Sequence, residues 1–259
     1  MHMITLTSDW NDDDYYVASL KGKLLSLLPG IEIVDITHRV KPFNTAQAAF
    51  IVRNSFNHFP RGTVHIIAVN TEPEKGRALL AAKISGHYFL CADNGIIDLL
   101  DESRPEELVS LDQGEGGTMG SFAALNILAE AATKIAGGAS PEEVGKKTGS
   151  YLKQVPLRPA VAGKVMTGTV IYIDSYENAI TNITREYFEE VTGDRPFTIY
   201  VQSKHHRICQ INKQYNESPE GELLAIFNSA GYLEIAIRNG NAAGLMKLGI
   251  NSSIRIEFT

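Results

Sequence analysis

Cysteine is nearly absent from this 259-residue chain. Two residues, Cys91 and Cys209, cannot build a disulfide framework. Tryptophan occurs once, at Trp10. No apolar run approaches the roughly 20 residues that a membrane helix needs. The opening Met1-His2-Met3-Ile4-Thr5 lacks the basic stretch and apolar core of a secretory signal. Neither sign of charge dominates: 24 basic and 30 acidic residues leave a net charge of −6, without the basic excess that nucleic acid attracts. Repeats, low-complexity tracts, a P-loop and a Gly-x-Ser-x-Gly elbow are all missing. The seven histidines are scattered, none spaced from another His or Cys as metal ligands are. What is there is ordinary globular composition, 44% hydrophobic and 21% charged with mean hydropathy −0.09. The chain is long enough to bury a core unaided. The expectation is a soluble, cytoplasmic protein acting on a small molecule, with no membrane and no nucleic-acid partner.

The first part alternates strand and helix signals. Ile4–Thr7 reads as a strand, and Tyr16, Val17, Leu20, Leu24, Leu27 and Leu28 lie on one helical face ended by Pro29-Gly30. Residues 31–36 form a β-branched strand. Asn44 can cap a second helix through Phe56, with Gln47 placed as in a capping box. Residues 63–69 are the near-continuous apolar run of a central parallel strand. Strands follow at 78–84 and 88–91, around Ser85-Gly86, then a helix over about Gly120–Ala136 closed by Gly137-Gly138. This order predicts a layered α/β domain with a mostly parallel sheet over residues 1–154. From residue 155 the chain changes character. An extended Val155–Ala160 linker leads into β-type runs at 164–174, 197–201, 206–211, 222–227, 232–237 and 253–258. A smaller all-β domain over 155–259 is expected.

Parallel sheets bind ligands beyond the carboxyl ends of their strands. Two such ends carry polar clusters, Ser8–Asp14 and Asn70–Arg77. Asp9 can accept two hydrogen bonds from a vicinal diol such as ribose, or it can simply form a turn. The two readings are about even. Trp10 can stack on a base or pack in the core. Asp12-Asp13-Asp14 fits helix N-terminal charge and capping better than a metal, because no nearby His or Cys completes a ligand set. Gly114–Gly120 looks like a phosphate loop but misses the dinucleotide spacing at Met119, and is read as a flexible loop.

Several segments together resemble one family. They are Leu6-Thr7-Ser8-Asp9-Trp10, Tyr16–Gly22, Ile33-Val34-Asp35-Ile36-Thr37-His38, Phe59–His65 and Asp93-Asn94-Gly95. In the second half they are Gly168–Asn178, Thr181-Asn182-Ile183 and Phe227–Glu234. In this order and spacing the chain resembles the S-adenosylmethionine (SAM) hydroxide adenosyltransferases, or SAM hydrolases, which share their fold with the fluorinases and chlorinases. The resemblance implies an N-terminal α/β domain, a C-terminal β-barrel-like domain, and a homotrimer binding its ligand between the N-domain of one subunit and the C-domain of its neighbour. It implies attack of water on ribose C5′ of SAM, giving adenosine and L-methionine, with no metal or redox cofactor. Asp9 then falls where the family holds the ribose hydroxyls, and Trp10 on an aromatic position beside the ligand. Asp174, Tyr176 and Asn178 fall on the segment holding the methionine part and the adenine edge; read without the family, they are turn formers. Asn228 and Ser229 fall on the adenine-side loop.

The chain departs from the family where water is activated. The family uses an Asp, an Arg and a His there. These positions are Asn70, Arg77 and Ala123 in this chain. An Asn can hydrogen-bond a water but cannot take its proton, and Ala can do neither. The halogenases have Tyr at the Asn70 position and Ser at the Ala124 position, so halide chemistry is not supported. Three readings stay open: a hydrolase with altered water-activating groups at Asn70 and Arg77, a member that binds SAM or adenosine without turnover, or a pocket for a different nucleoside or nucleophile, for which Asn70 and the Glu72-Pro73-Glu74 loop leave room.

Overall fold

A computed structural model describes residues 3–72, 77–101, 103–111 and 122–259. The chain folds as two compact units, Met1–Pro156 and Leu157–Thr259. Among the described residues no helix is long and apolar enough to cross a membrane.

The first unit is built on a seven-stranded sheet. In chain order its strands are β1 (Met3–Ser8), β2 (Glu32–Thr37), β3 (Val64–Ala68), β4 (Leu79–Ile84), β5 (His87–Ala92), β6 (Glu107–Leu111) and β7 (Gly145–Lys147). Their spatial order is β2-β1-β3-β5-β4-β6-β7. The β2-β1-β3-β5 part is parallel. From β5 onward the sheet runs antiparallel, because Ser85-Gly86, both at positive φ, turns β4 directly back onto β5. Helices α1 (Tyr16–Leu27) and α4 (Ala129–Ala136) cover one face through Leu20, Leu24, Ala132 and Ile135. Helices α2 (Thr45–Arg53) and α3 (Ile96–Leu100) cover the other through Ala48, Val52, Ile96 and Leu100. All five residues of β3 are consequently buried, as its apolar run predicts.

Local chemistry adjusts several expected boundaries. Asn44 caps α2 by accepting from Gln47 N at 3.0 Å, but the Gln47 side chain accepts from Lys41 N rather than closing a capping box. Helix α2 stops at Arg53 instead of Phe56, where Asn54 and Ser55 bond back to the carbonyls of Phe50 and Ile51. The acidic run does not cap α1: no side-chain cap is present, the first turn holds no acid, and Asp12 instead accepts from Arg39 Nε at 3.1 Å. A π-type turn over Ala124–Leu128 leads into α4. Gly114–Gly120 and Ser121 lie outside the described residues, as do Pro73–Gly76.

The second unit is antiparallel. Its strands are β8 (Ala160–Ala162), β9 (Val165–Ile173), β10 (Ala179–Thr184), β11 (Phe197–Val201), β12 (Ser203–Ile208), β13 (Leu223–Phe227), β14 (Tyr232–Ile237) and β15 (Ser253–Phe258). They run β12-β11-β15-β9-β10-β14-β13, with β8 beside β9. The sheet curls until Asn212, just past β12, donates its N–H to Ala225 O of β13 at 2.8 Å, leaving a nearly closed barrel filled by Met166, Val170, Ile199, Leu233 and Ile254. Two short helices interrupt the expected all-β reading. They are α5 (Arg185–Thr192), capped by Thr184 and seated by Phe188, and α6 (Ala242–Leu245), capped by Asn241.

Three polar side chains inside the first sheet meet one another, while buried Thr7 Oγ1 finds no hydrogen-bond partner among the described residues. Strand register sets Thr5 beside His65 and His65 beside Phe89. Thr5 Oγ1 lies 2.7 Å from His65 Nδ1, and His65 Nε2 lies 3.2 Å from His87 Nδ1. The two histidines far apart in sequence thus meet. Each neutral imidazole is one donor and one acceptor, which satisfies this chain without charge. Burial, with the neighbouring His87, pushes His65 down to about 3; burial and the Arg61 charge also lower His87. Unfolded, a histidine titrates near 6.5. As pH falls below that value the unfolded chain takes up a proton that folded His65 refuses, so its contribution to stability is full above about 6.5 and is lost toward about 3, by roughly 1.4 kcal/mol per pH unit; the lowered His87 acts in the same direction. The expected result is a urea midpoint that drops between pH 7 and pH 5 while the His65 ring proton resonance does not move. A His65 resonance that titrates in the folded protein across that range contradicts the assignment.

Candidate ligand site

In the first unit the parallel strands deliver polar residues to one edge. Ser8 pairs with Ala68, so Asp9 and Asn70 emerge together past the ends of β1 and β3. Asp9 Oδ2 accepts from Phe43 N at 2.8 Å and from Asn70 N at 3.4 Å. Both donors sit at positive φ, 65° and 51°. That is a rare conformation for a bulky Phe, while Asn tolerates it. The carboxylate therefore pins two strained loops with one oxygen, and among the described residues Oδ1 accepts no bond. Below it, buried His38 lies 2.7 Å from Ser8 Oγ through Nδ1 and 3.2 Å from Asp35 Oδ1 through Nε2. The His38 carbonyl accepts from Asn11 N. Burial pushes Asp35 up, but hydrogen bonds from Lys21 and His38 outweigh it and hold the carboxyl below its ordinary range. Asn94, past the end of β5, donates to Val69 O at 3.2 Å, extending the polar edge one strand further.

Trp10 is half-buried and packs edge-on against Phe122 at 5.0 Å, with Tyr16 at 6.0 Å. It closes one side of the first core while keeping part of its ring exposed. Arg77 Nη2 donates to Glu72 O at 2.6 Å. Burial raises Glu72, opposed by the Arg77 charge. Ala123 is buried in the helical turn under the sheet, so its methyl serves packing.

In the second unit, strand alternation gathers residues far apart in sequence. Tyr172, Ile180, Glu234 and Ile226 are directly opposed across β9, β10, β14 and β13. Directly opposed residues share a sheet face, and so do residues two apart along a strand. Asp174, Asn178, Asn228 and Tyr232 therefore join that row on one face. It is the face opposite the barrel core, because Leu233 and Ile235 point inward while Leu224, Ile226 and Ala236 form a separate small cluster. The hairpin 174–178 is organised by Asp174, whose Oδ1 accepts from Tyr176 N at 2.9 Å and Asn178 N at 2.8 Å, and whose Oδ2 accepts from Asn178 Nδ2 at 3.2 Å. Glu177 takes the positive φ of this turn. Tyr176 projects from it, 78% exposed. The hairpin 228–231 is organised by Asn228, whose Oδ1 accepts from Ala230 N and Tyr232 N, both at 3.1 Å. Ser229 is exposed at its tip. Because β10 and β14 are antiparallel, the two hairpins stand at opposite ends of their ladder.

Between them lies a residue that sequence reasoning left without a role. Glu234 is 2% exposed. Its Oε1 accepts from Tyr215 OH at 2.7 Å and its Oε2 from Asn228 Nδ2 at 3.2 Å. Burial raises its carboxyl and the Asp174 charge adds to this, against the two hydrogen bonds. Burial and Glu234 raise the Tyr215 phenol in turn. The signal was visible as a lone charge in Tyr232-Leu233-Glu234-Ile235-Ala236-Ile237, since a carboxylate amid an otherwise buried strand demands partners. Among the described residues no group of three or more His, Cys, Asp or Glu could hold a metal ion.

The Asp9 linkage makes a stability prediction. Asp9→Ala leaves the Phe43 and Asn70 amides without their acceptor at positions of backbone strain and costs about 1–2 kcal/mol in urea unfolding. Asp9→Asn retains an acceptor oxygen and costs less. Equal stability of all three proteins removes the pinning role.

Comparison with known proteins follows the same division of the chain. The family model described as the SAM hydroxide adenosyltransferase N-terminal domain matches residues 4–145, and the C-terminal domain model matches residues 168–255. Among similar proteins, an (R)-S-adenosyl-L-methionine hydrolase of Methanocaldococcus jannaschii is 26% identical over 100% of this chain and 97% of its own length. A fluorinase of Nocardia brasiliensis is 26% identical over 98% of this chain and 97% of its own. A solved structure of a conserved Thermotoga maritima protein superposes with a TM-score of 0.87 at 27% identity, covering 98% of this chain and 99% of that one.

Proposed function

The chain belongs to the SAM hydroxide adenosyltransferase family, and from that premise we propose that it binds SAM and cleaves it to adenosine and L-methionine by attack of water at ribose C5′. The observation that carries this reading is Asp9 at the carboxyl edge of the sheet. One oxygen is anchored by two backbone amides, so the carboxylate is held rigidly for a vicinal diol. In this reading Trp10 offers its open side to the ligand. Asp174 takes the methionine ammonium by a charge-assisted bond, while Tyr176 and Asn178 border the methionine part and the adenine edge. The Asn228-Ser229 turn meets adenine with backbone groups. Water bonds to the side chains of Asn70 and Arg77, its oxygen joins C5′ as the C5′–S bond breaks, the electron pair stays on sulfur, and the surplus proton passes to solvent. The sulfonium is already a good leaving group, so the step requires no cofactor. The reading also carries assembly into a homotrimer, which light scattering tests.

A second reading is favoured by Asn70 and Ala123: binding without turnover. Neither side chain can accept the proton of water at neutral pH, and positioned acid–base groups contribute about 10²–10⁴-fold to rate. Incubation with SAM, followed by chromatography of adenosine and methionine, separates the two. Enzyme-dependent adenosine that disappears in Asp9→Asn supports hydrolysis. Tight binding without product supports a carrier or sensor, and absence of both overturns the SAM reading.

Asn70→Asp extends the test. Aspartate tolerates the same left-handed backbone and supplies a proton acceptor beside the water. The expected result is a rise in turnover of roughly 10²-fold at unchanged SAM affinity. No rise assigns the 70 position to the loop alone.

A further inference from the structure

Glu234 accepts two hydrogen bonds and donates none as a carboxylate. Tyr215 OH on Oε1 fixes the plane of the carboxylate, leaving Oε2 toward Asn228 Nδ2. An Asn side chain can face a neighbour with either its oxygen or its NH₂, and those two choices have opposite consequences here. With NH₂ toward Glu234, Oδ1 points at the turn and accepts from both Ala230 N and Tyr232 N. With the amide reversed, its NH₂ meets those two N–H donors and the turn loses both bonds, while its oxygen meets the carboxylate. An acceptor-only partner therefore selects one orientation. The remainder of the turn is closed by Gly231 N to Asn228 O at 2.9 Å, with Gly231 at φ 80°, so its shape depends on the residue at 228 from both sides. Burial of Glu234 beneath the sheet face keeps water from substituting for it.

We propose, resting on the adenosyl-ligand reading above, that Glu234 is a positioning residue for base recognition: by dictating the orientation of the Asn228 amide it sets the backbone of the 228–231 turn that reads the edge of adenine. Asp174, at the far end of the same ladder, keeps its own hairpin in shape through hydrogen bonds that do not involve Glu234. Glu234 therefore acts on the choice of base and not on the amino-acid end of the ligand. Recognition of adenine by backbone groups requires a donor and an acceptor at fixed spacing. Inosine presents the opposite pattern at the same edge, so the ratio of adenosine to inosine affinity reads the geometry of the turn directly.

The test uses the full chain and reverses the polarity of the pair. Asn228→Asp still accepts from the two turn amides but sets a second acceptor against Glu234, and it is expected to lower the adenosine-to-inosine affinity ratio about tenfold, as for one lost charge-assisted hydrogen bond. Asn228→Asp combined with Glu234→Gln restores both bonds around the pair. The introduced glutamine donates through its NH₂ to the introduced carboxylate, and its amide oxygen accepts from Tyr215 OH. This double variant is expected to recover the ratio. Both replacements are close to isosteric, and circular dichroism with thermal unfolding confirms that each protein folds. A merely structural defect weakens adenosine and inosine alike and is not repaired by the second change. An unchanged ratio in Asn228→Asp, or no recovery in the double variant, overturns the proposal. If the unaltered chain binds adenosine and inosine equally, the proposal falls while the SAM reading stands. If the unaltered chain binds neither SAM nor adenosine, both fall.

Discussion

A strand covered on both faces has little water for its side chains, so polar groups are costly there unless they stand at its ends or in pairs. The placement of the candidate site residues follows from that constraint. β3 is buried throughout, and with β1 beside it the first available polar positions are the residues that follow the strands. Asp9 and Asn70 stand there, joined by a hydrogen bond. Within the sheet Thr5, His65 and His87 form a neutral chain. The second unit repeats the constraint on an antiparallel scaffold, where Glu234 inside the buried strand β14 is satisfied by Tyr215 and Asn228.

The two units present side chains by different means. In the first, polar residues occupy loops past the carboxyl ends of parallel strands, and those loops take left-handed backbone at Asn70 and, with strain, at Phe43. Their conformations are held by a single carboxylate oxygen of Asp9, with the Ser8–His38 contact beneath. In the second, the pleat does the positioning. Asp174, Asn178, Asn228 and Glu234 come from three segments of chain but share a face, because the ladder register is continuous through Tyr172, Ile180, Glu234 and Ile226. A one-residue slip in any of these strands would send its side chains into the barrel core. The packing of Leu233 and Ile235 inside therefore keeps the polar residues on the outer face.

The family resemblance and residue chemistry pull in different directions at Asn70 and Ala123, which the resemblance aligns with groups that activate water. Asn70 retains a left-handed backbone that suits Asn and Asp equally, so the loop fits either residue. Ala123 is packed inside the first core, where its methyl contributes burial and offers no polar atom.

The sequence by itself determined the layered α/β class of the first unit, the β character of the second, and the Asn44 cap. These depend on periodicity and local hydrogen bonding within a few residues. It also carried the family resemblance, because the residues of its short motifs stand in order along the chain. Its reading failed where partners are distant. Asp12 seemed a cap for α1, yet Arg39, 27 residues away, takes it. For Asp9, equally a turn former or a ligand residue in sequence, the partners Phe43 and Asn70 converge from separations of 34 and 61 residues. Glu234, at the end of the Phe227–Glu234 segment, had no role legible in sequence, because its partner Tyr215 is 19 residues away and the strand register that brings Asp174, Asn178 and Asn228 onto its face is a property of the sheet. Only the tertiary structure decides such pairings, since a buried polar group is governed by whichever donor or acceptor the fold brings within about 3 Å, and linear spacing does not encode that neighbour.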